Sequence, residues 1–216
     1  MMNILLLGAT GVVGQQILAQ ALHHPRVTQV FTPVRKLMPM KHDKLQQFQL
    51  DFGHIEAQLP TQINLKEIDA VLCALGTTMK QAGSKDAFRK VDHDYPLTFA
   101  EIAKQNHIST YVLNSAMGAN ADSMFFYNQV KGELEQALKD LHFPSLTLVR
   151  PGLIDGNRDE FRLGEKLALN VLRPLNELLP KSWRLSPAQN IAKALLQSAL
   201  EQKLGTHIIS ADALAE

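Results

Sequence analysis

An apolar run, Asn3-Ile4-Leu5-Leu6-Leu7, passes directly into Gly8-Ala9-Thr10-Gly11-Val12-Val13-Gly14 and then into an amphipathic stretch. A short apolar run of this kind reads as a buried strand, and the stretch after it reads as a helix. Three glycines at this spacing each meet a separate steric demand. Gly8 permits a tight turn out of the strand, Gly11 lets backbone approach a ligand where a Cβ would obstruct it, and Gly14 lets the helix pack closely on the strand. The backbone N–H groups from Thr10 and Gly11 to Val12 and Val13 then stand at a helix N-terminus, which attracts anions.

The rest of the chain repeats the alternation. Short β-branched or Leu-rich runs are predicted as strands at Asn3–Leu7, Gln29–Val34, Leu45–Leu50, Ala70–Leu75, Thr110–Leu113, Leu146–Val149 and Thr206–Ile209. Helices are predicted at Val12–Leu22, Asp86–Asn106, Phe125–Leu141, Glu165–Leu172 and Pro187–Leu200. Strands alternating with helices specify an α/β fold, a doubly wound parallel sheet covered on both faces, here over residues 1–216 as a single domain. Pro96 should kink or restart its helix. Ser186-Pro187-Ala188-Gln189 reads as a helix start with a capping hydroxyl. The irregular residues 151–186 are expected to line a substrate pocket.

Twenty-two Lys plus Arg against 21 Asp plus Glu leave a formal charge of +1, too weak a field for general nucleic-acid or membrane binding. The apolar runs fall far short of the roughly 20 residues that span a bilayer, and the N-terminus lacks a signal peptide's features, so a cytoplasmic protein is expected. Cys73 is the single cysteine, which excludes an intramolecular disulfide, and it reads as a small buried residue rather than a nucleophile. Eight histidines show no ligand spacing, so no metal is expected.

In such sheets ligands bind at the carboxyl ends of the strands, and the glycine turn makes a dinucleotide the expected ligand. An acidic residue about 20 positions past the glycines accepts the ribose 2′-hydroxyl of NAD, whereas a basic one pairs with the 2′-phosphate of NADP. Here Arg35 stands 21 positions beyond Gly14 (35 − 14), followed by Lys36, with no carboxylate nearby. A guanidinium holds phosphate by two hydrogen bonds, so NADP(H) is the expected cofactor. Asp51-Phe52 and Cys73-Ala74-Leu75-Gly76 end two further strands and fall at the same edge.

Tyr127 and Lys131 lie four residues apart on one predicted helix, hence on one face. An ammonium beside a phenol favours the phenolate, which would let Tyr127 pass a proton to or from a substrate oxygen while Lys131 also donates to ribose hydroxyls. Ser115, at the end of the fifth strand and 12 residues before Tyr127 (127 − 115), would orient the carbonyl oxygen and stabilise its developing charge.

The combination of Gly8 to Gly14, Arg35, Leu75-Gly76-Thr77-Thr78, Val91-Asp92-His93-Asp94-Tyr95, Tyr127 to Glu133, Arg150-Pro151-Gly152 and Arg162-Leu163-Gly164-Glu165 resembles an atypical short-chain dehydrogenase/reductase. Within that superfamily it is most similar to the Tat-interactive-protein-like, CC3-like group of NADPH-binding proteins. The resemblance implies an NAD(P)-binding Rossmann domain with a small C-terminal elaboration and a catalytic set of Ser115, Tyr127 and Lys131. It implies Asp51 beside the adenine, the residues near Gly76 beneath its ribose, and Pro151 to Ile154, Leu153 among them, at the nicotinamide end. Asp92 stands where many relatives place a relay asparagine. Only 66 residues follow Arg150 (216 − 150), which favours a small carbonyl or alcohol over a nucleotide sugar. Arg158 and Arg162 are candidates for a polar substrate group. Two readings follow: an oxidoreductase, or an NADPH-sensing regulator that binds a protein partner without turnover.

Overall fold

The computed structural model describes residues 1–155 and 185–214. Strands β1 (Met2–Leu7), β2 (Val27–Val34), β3 (Leu45–Gln49), β4 (Ala70–Cys73), β5 (Thr110–Asn114) and β6 (Ser145–Val149) precede a two-residue pair, β7 (Ile154–Asp155) with β8 (Ser186–Pro187), and a last strand, β9 (Gly205–Ile209). Among the described residues one seven-stranded sheet forms in the order β3-β2-β1-β4-β5-β6-β9, every neighbour parallel. The chain winds outward from β1 to β3, returns to place β4 on the other side of β1, and winds outward again. Loops leaving β1 and β4 therefore part company, and a crevice opens between them.

Alternation along each strand sends side chains to two cores. Ile4, Leu6, Val30, Leu72 and Val112 face helices α1 (Val12–His23) and, later in the chain, Ala188–Glu201, through Ile17, Ala21, Ile191 and Leu195. Leu5, Leu7, Val71, Tyr111 and Leu113 face the other side, against Leu59, Phe99 and Leu134. Burial on both faces is why these strands read as continuous apolar runs. No described helix is long and apolar enough to cross a membrane.

Most strand and helix positions agree with expectation to within two residues, and three features do not. Helix α2 (Ile55–Gln62) was not expected: it buries only Ile55 and Leu59 and carries Pro60, so its sequence lacks a helical stripe. The long helix expected over Asp86–Asn106 is divided. After a single turn, α3 (Met79–Ala82), come α4 (Lys85–Arg89), a π-helical turn over Lys90–Asp94, and α5 (Tyr95–Gln105), with Pro96 in the first turn of α5. Proline has no N–H for the carbonyl four residues back, and the widened turn accommodates the loss. Ser186 does not cap the following helix: its backbone pairs in β8, its hydroxyl accepts from the Gly152 N–H at 3.2 Å, and α7 (Ala188–Glu201) begins after Pro187 with no side-chain cap. Helix α6 (Phe126–Asp140) joins β5 to β6. The helix expected at Glu165–Leu172, Arg158, Arg162 and most of the expected pocket wall lie outside the described residues.

A Cβ built on Gly14 would stand 1.9 Å from the Gly8 carbonyl oxygen and 3.0 Å from the Ala9 Cα. Gly14→Ala is therefore expected to cost about 1–3 kcal/mol, the usual penalty of overpacking. A urea midpoint equal to the parent's would contradict so close a helix-to-strand approach.

Candidate cofactor cleft and chemical site

The crevice at the β1/β4 divergence is a cleft of about 1510 Å³. Its floor is a near-contact of two backbones: Gly8 has φ +84°, and a Cβ there would lie 2.7 Å from the Ala74 carbonyl oxygen. The Gly11 N–H closes the turn on the Gly8 carbonyl at 3.0 Å, and Gly11 caps α1 without a side chain. The first-turn N–H groups of α1 are thus left for a ligand, with no acidic residue in that turn to repel an anion.

Gly8, Thr10, Gly11, Arg35, Asp51, Phe52, Ala74, Leu75 and Gly76 all line the cleft. Arg35 is exposed just past β2, its backbone steadied by Gln49 Nε2 donating to its carbonyl at 3.1 Å. Asp51 accepts from the Gly53 N–H at 2.8 Å, and His54 Nδ1 lies 2.8 Å from its other oxygen. The Gly53 amide, and after it His54, hold that carboxyl below its ordinary range. Phe52 packs edge-on to Tyr95 and Phe99. Gln58 and Lys80, in short helices without a motif, also line the cleft and were not expected there; so do Thr77 and Tyr95, which lie in the stretches that carry the resemblance but are given no role by it.

Other expected contacts stand back from the wall. Val13 and Gly14 are buried and Val12 packs against the core, while Lys36 is exposed outside the lining. Cys73 is buried completely in β4, so its side chain cannot reach a ligand, and burial pushes its thiol above the usual value. With so little thiolate at neutral pH, Cys73 should resist iodoacetamide in the folded protein and react readily in denaturant; rapid labelling without denaturant would contradict its placement.

Beside the cleft, α6 carries the chemical residues. Tyr127, in its first turn, is 42% exposed and packs its ring at a tilt against Phe88, with centroids 5.8 Å apart. One turn on, Lys131 is buried, with Nζ 2.8 Å from Asp92 Oδ1. Burial alone would lower the Lys131 ammonium, but Asp92 and, more weakly, Tyr127 outweigh it and leave the group above the ordinary lysine value. The helix thus places Tyr127 and Lys131 within electrostatic reach, as their spacing predicts.

Ser115 behaves differently from expectation. Its hydroxyl donates to Glu135 Oε1 at 2.6 Å, and Arg150 grips the same carboxylate with Nε at 2.9 Å and Nη2 at 2.5 Å. The one hydroxyl hydrogen of Ser115 is therefore spent on a buried anion and does not face a substrate carbonyl. The signal for Glu135 was present in the sequence: it lies four residues past Lys131, on the same helical face. Gly132 plays a steric part, since a Cβ there would lie 2.1 Å from the Asn120 carbonyl carbon; the loop from Ser115 to Phe125 is pressed onto α6 and tied by the Asn120 N–H to the Asn128 carbonyl. Pro151 is buried and accepts from the Met117 N–H at 2.8 Å, and Leu153 is exposed. Among the described residues no group of three or more His, Cys, Asp or Glu could hold a metal ion.

Arg150→Met would strand Glu135 as a buried charge and should cost about 3–5 kcal/mol, much of it regained in the Glu135→Met, Arg150→Met double variant. Equal loss in the single and double variants, measured by chemical denaturation, would show the pair to be unimportant.

A doubly wound parallel sheet with a glycine turn aimed at a cleft is the architecture of a dinucleotide-binding fold, and a Tyr-x-x-x-Lys helix stands beside that cleft. The family model described as NAD(P)H-binding matches residues 8–167, and the chain belongs to that family. It is 33% identical over 210 residues to "Protein fmp52, mitochondrial" of Emericella nidulans, covering 93% of this chain and 88% of the relative. It is 32% identical over 209 residues to "Protein HTATIP2" of Rattus norvegicus, covering 94% and 83%. A short chain dehydrogenase family protein from Francisella tularensis superposes with a TM-score of 0.71 over the full length of both chains at 16% identity, a likeness of fold. The fungal relatives of the first name are called mitochondrial, which overturns the cytoplasmic placement expected from the sequence. The length of apolar runs and the pattern of a secretory signal, on which that expectation rested, carry no information about import into an organelle.

Proposed function

We propose that the protein is an NADP(H)-dependent oxidoreductase acting on a small carbonyl or alcohol, in a mitochondrial setting suggested by the names of its fungal relatives. The observation that carries the choice of cofactor is the charge on the cleft wall. Among the described residues its cations are Arg35 and Lys80, and its carboxylate is Asp51, which is engaged by Gly53 and His54. A 2′-phosphate would meet a guanidinium where an NAD-selective site needs a free acid.

In this reading the α1 amides, with Gly8, Thr10 and Gly11, hold the pyrophosphate, and Arg35 holds the 2′-phosphate. Asp51 and Phe52 flank the adenine, Ala74 to Gly76 lie beneath its ribose, and Pro151 and Leu153 border the nicotinamide end. The cofactor, when bound, supplies the hydride to a carbonyl carbon or accepts it from an alcohol. Tyr127 gives its proton to the carbonyl oxygen as that hydride arrives, and water replaces the proton directly through the exposed ring edge. Lys131 offers its remaining N–H groups to the ribose and steadies charge on Tyr127.

One observation favours a second reading. Because Ser115 donates to Glu135, the site lacks the hydroxyl donor expected to stabilise an oxyanion, as suits an NADPH-sensing regulator that captures a protein partner without turnover.

Arg35→Asp should weaken NADPH binding by about tenfold or more, the value of lost charge-assisted hydrogen bonds, and leave NADH binding nearly unchanged in calorimetric titration; equal losses would refute the cofactor assignment. Tyr127→Phe should slow NADPH oxidation across a carbonyl panel by roughly 10²-fold or more with cofactor affinity preserved. Tight NADPH binding by the parent with no turnover on any carbonyl would instead favour the regulator.

A further inference from the structure

Asp92 lies in the π-helical turn Lys90–Asp94, and its two carboxylate oxygens serve different parts of the molecule. Oδ1 accepts from Lys131 Nζ at 2.8 Å, and Oδ2 accepts from the Thr77 N–H at 2.7 Å. Lys131 belongs to the chemical helix, whereas Thr77 belongs to the cleft wall. We propose that Asp92 is the positioning residue of this site, one carboxylate that anchors the Lys131 ammonium and the Gly76–Thr77 wall of the cleft to each other. The inference takes from the proposed function only the assignment of Lys131 and this wall to the cofactor.

Three observations carry it. Two donors converge on opposite oxygens, so an asparagine at this position would turn its NH₂ toward one of them and lose that bond. The chain therefore does not merely exchange one relay residue for another: both oxygens are already occupied by protein. Gly76 lies directly against the pair, since a Cβ there would stand at ordinary van der Waals distance, 3.4 Å from Asp92 Oδ1 and 4.0 Å from Lys131 Nζ, so this wall borders both charges. Lastly, the side chains of Lys131 and Asp92 are only 4% and 2% exposed, so each charge depends on the other.

The consequence for Lys131 has a definite sign. The titratable groups that face it are Asp92 from the π turn, Tyr127 from its own helix and Cys73 from β4. The Cys73 thiol is pushed up by burial and stays neutral, which leaves Asp92 as the carboxylate in that set. In the parent Lys131 keeps its proton beyond the ordinary lysine range. Without Asp92, burial is opposed chiefly by the weaker influence of Tyr127, and the proton is lost at lower pH.

The test uses the full-length protein labelled with ¹³C at lysine Cε, with Lys131→Met identifying the Lys131 signal. In Asp92→Asn the Lys131 midpoint should fall by about two or more pH units, whereas the parent signal should not titrate below about pH 10. NADPH affinity of the variant should drop roughly tenfold between about pH 6 and pH 9, on the scale of one charge-assisted hydrogen bond, with little change in the parent. A folded Asp92→Asn protein whose Lys131 midpoint is unmoved overturns the proposal. Should Asp92→Asn fail to fold, the Asp92→Asn, Lys131→Met double variant decides: recovery of the fold shows that the stranded ammonium was at fault, and equal failure overturns the proposal. A displaced midpoint with no NADPH binding by either protein upholds the anchoring of Lys131 and overturns the cofactor reading alone.

Discussion

Where α1 crosses the end of β1 there is no room for a methyl group. The Gly14 position faces the Gly8 carbonyl at a distance no Cβ tolerates, and Gly8 in turn backs onto the Ala74 carbonyl across the sheet. These two approaches fix three things together: the angle at which the first helix leaves the strand, the closeness of the β1 and β4 ends, and the direction of the first-turn N–H groups. The cleft exists because the strand order reverses at this point, and it is fit for an anion because backbone, not side chain, forms its floor.

A second constraint operates along α6. Lys131 and Glu135 are buried one turn apart on the same helix, and each is matched by an opposite charge from elsewhere, Asp92 from the π turn and Arg150 from the end of β6. Such pairs recover little net stability after desolvation, yet breaking one leaves a charge in a dry place. Their effect here is registration. They pin α6 to the loop after β4, to the start of the chain beyond β6 and, through Ser115, to the end of β5. Exposed Tyr127, one turn before Lys131 and outside the cleft lining, is thereby held in place by partners deeper in the protein.

The strands and the glycine turn were legible because period and steric need are local: runs of four to six residues between turn residues permit few alternatives in an α/β chain. The Tyr127–Lys131 adjacency follows from helical geometry alone. Less was legible where partners are distant in sequence. Ser115 looks like a free hydroxyl until Glu135 and Arg150 meet it, and Asp92 is marked only as standing at a relay position until the π turn sets it between Lys131 and Thr77. Ser186 looks like a helix cap, but pairing with β7 takes its backbone and the Gly152 N–H takes its oxygen.

By itself the sequence determined the alternation of strand and helix, the sites where glycine is obligatory, and the helical face that brings Tyr127 beside Lys131, since each depends on neighbours within a few residues. Only the tertiary structure decided which charges are paired, which hydroxyl hydrogen is already spent and which cations reach the cleft wall. Those outcomes depend on groups far apart along the chain, such as Thr77 with Asp92 and Ser115 with Glu135, whose meeting is set by the packing of helices on the sheet and not by any local preference.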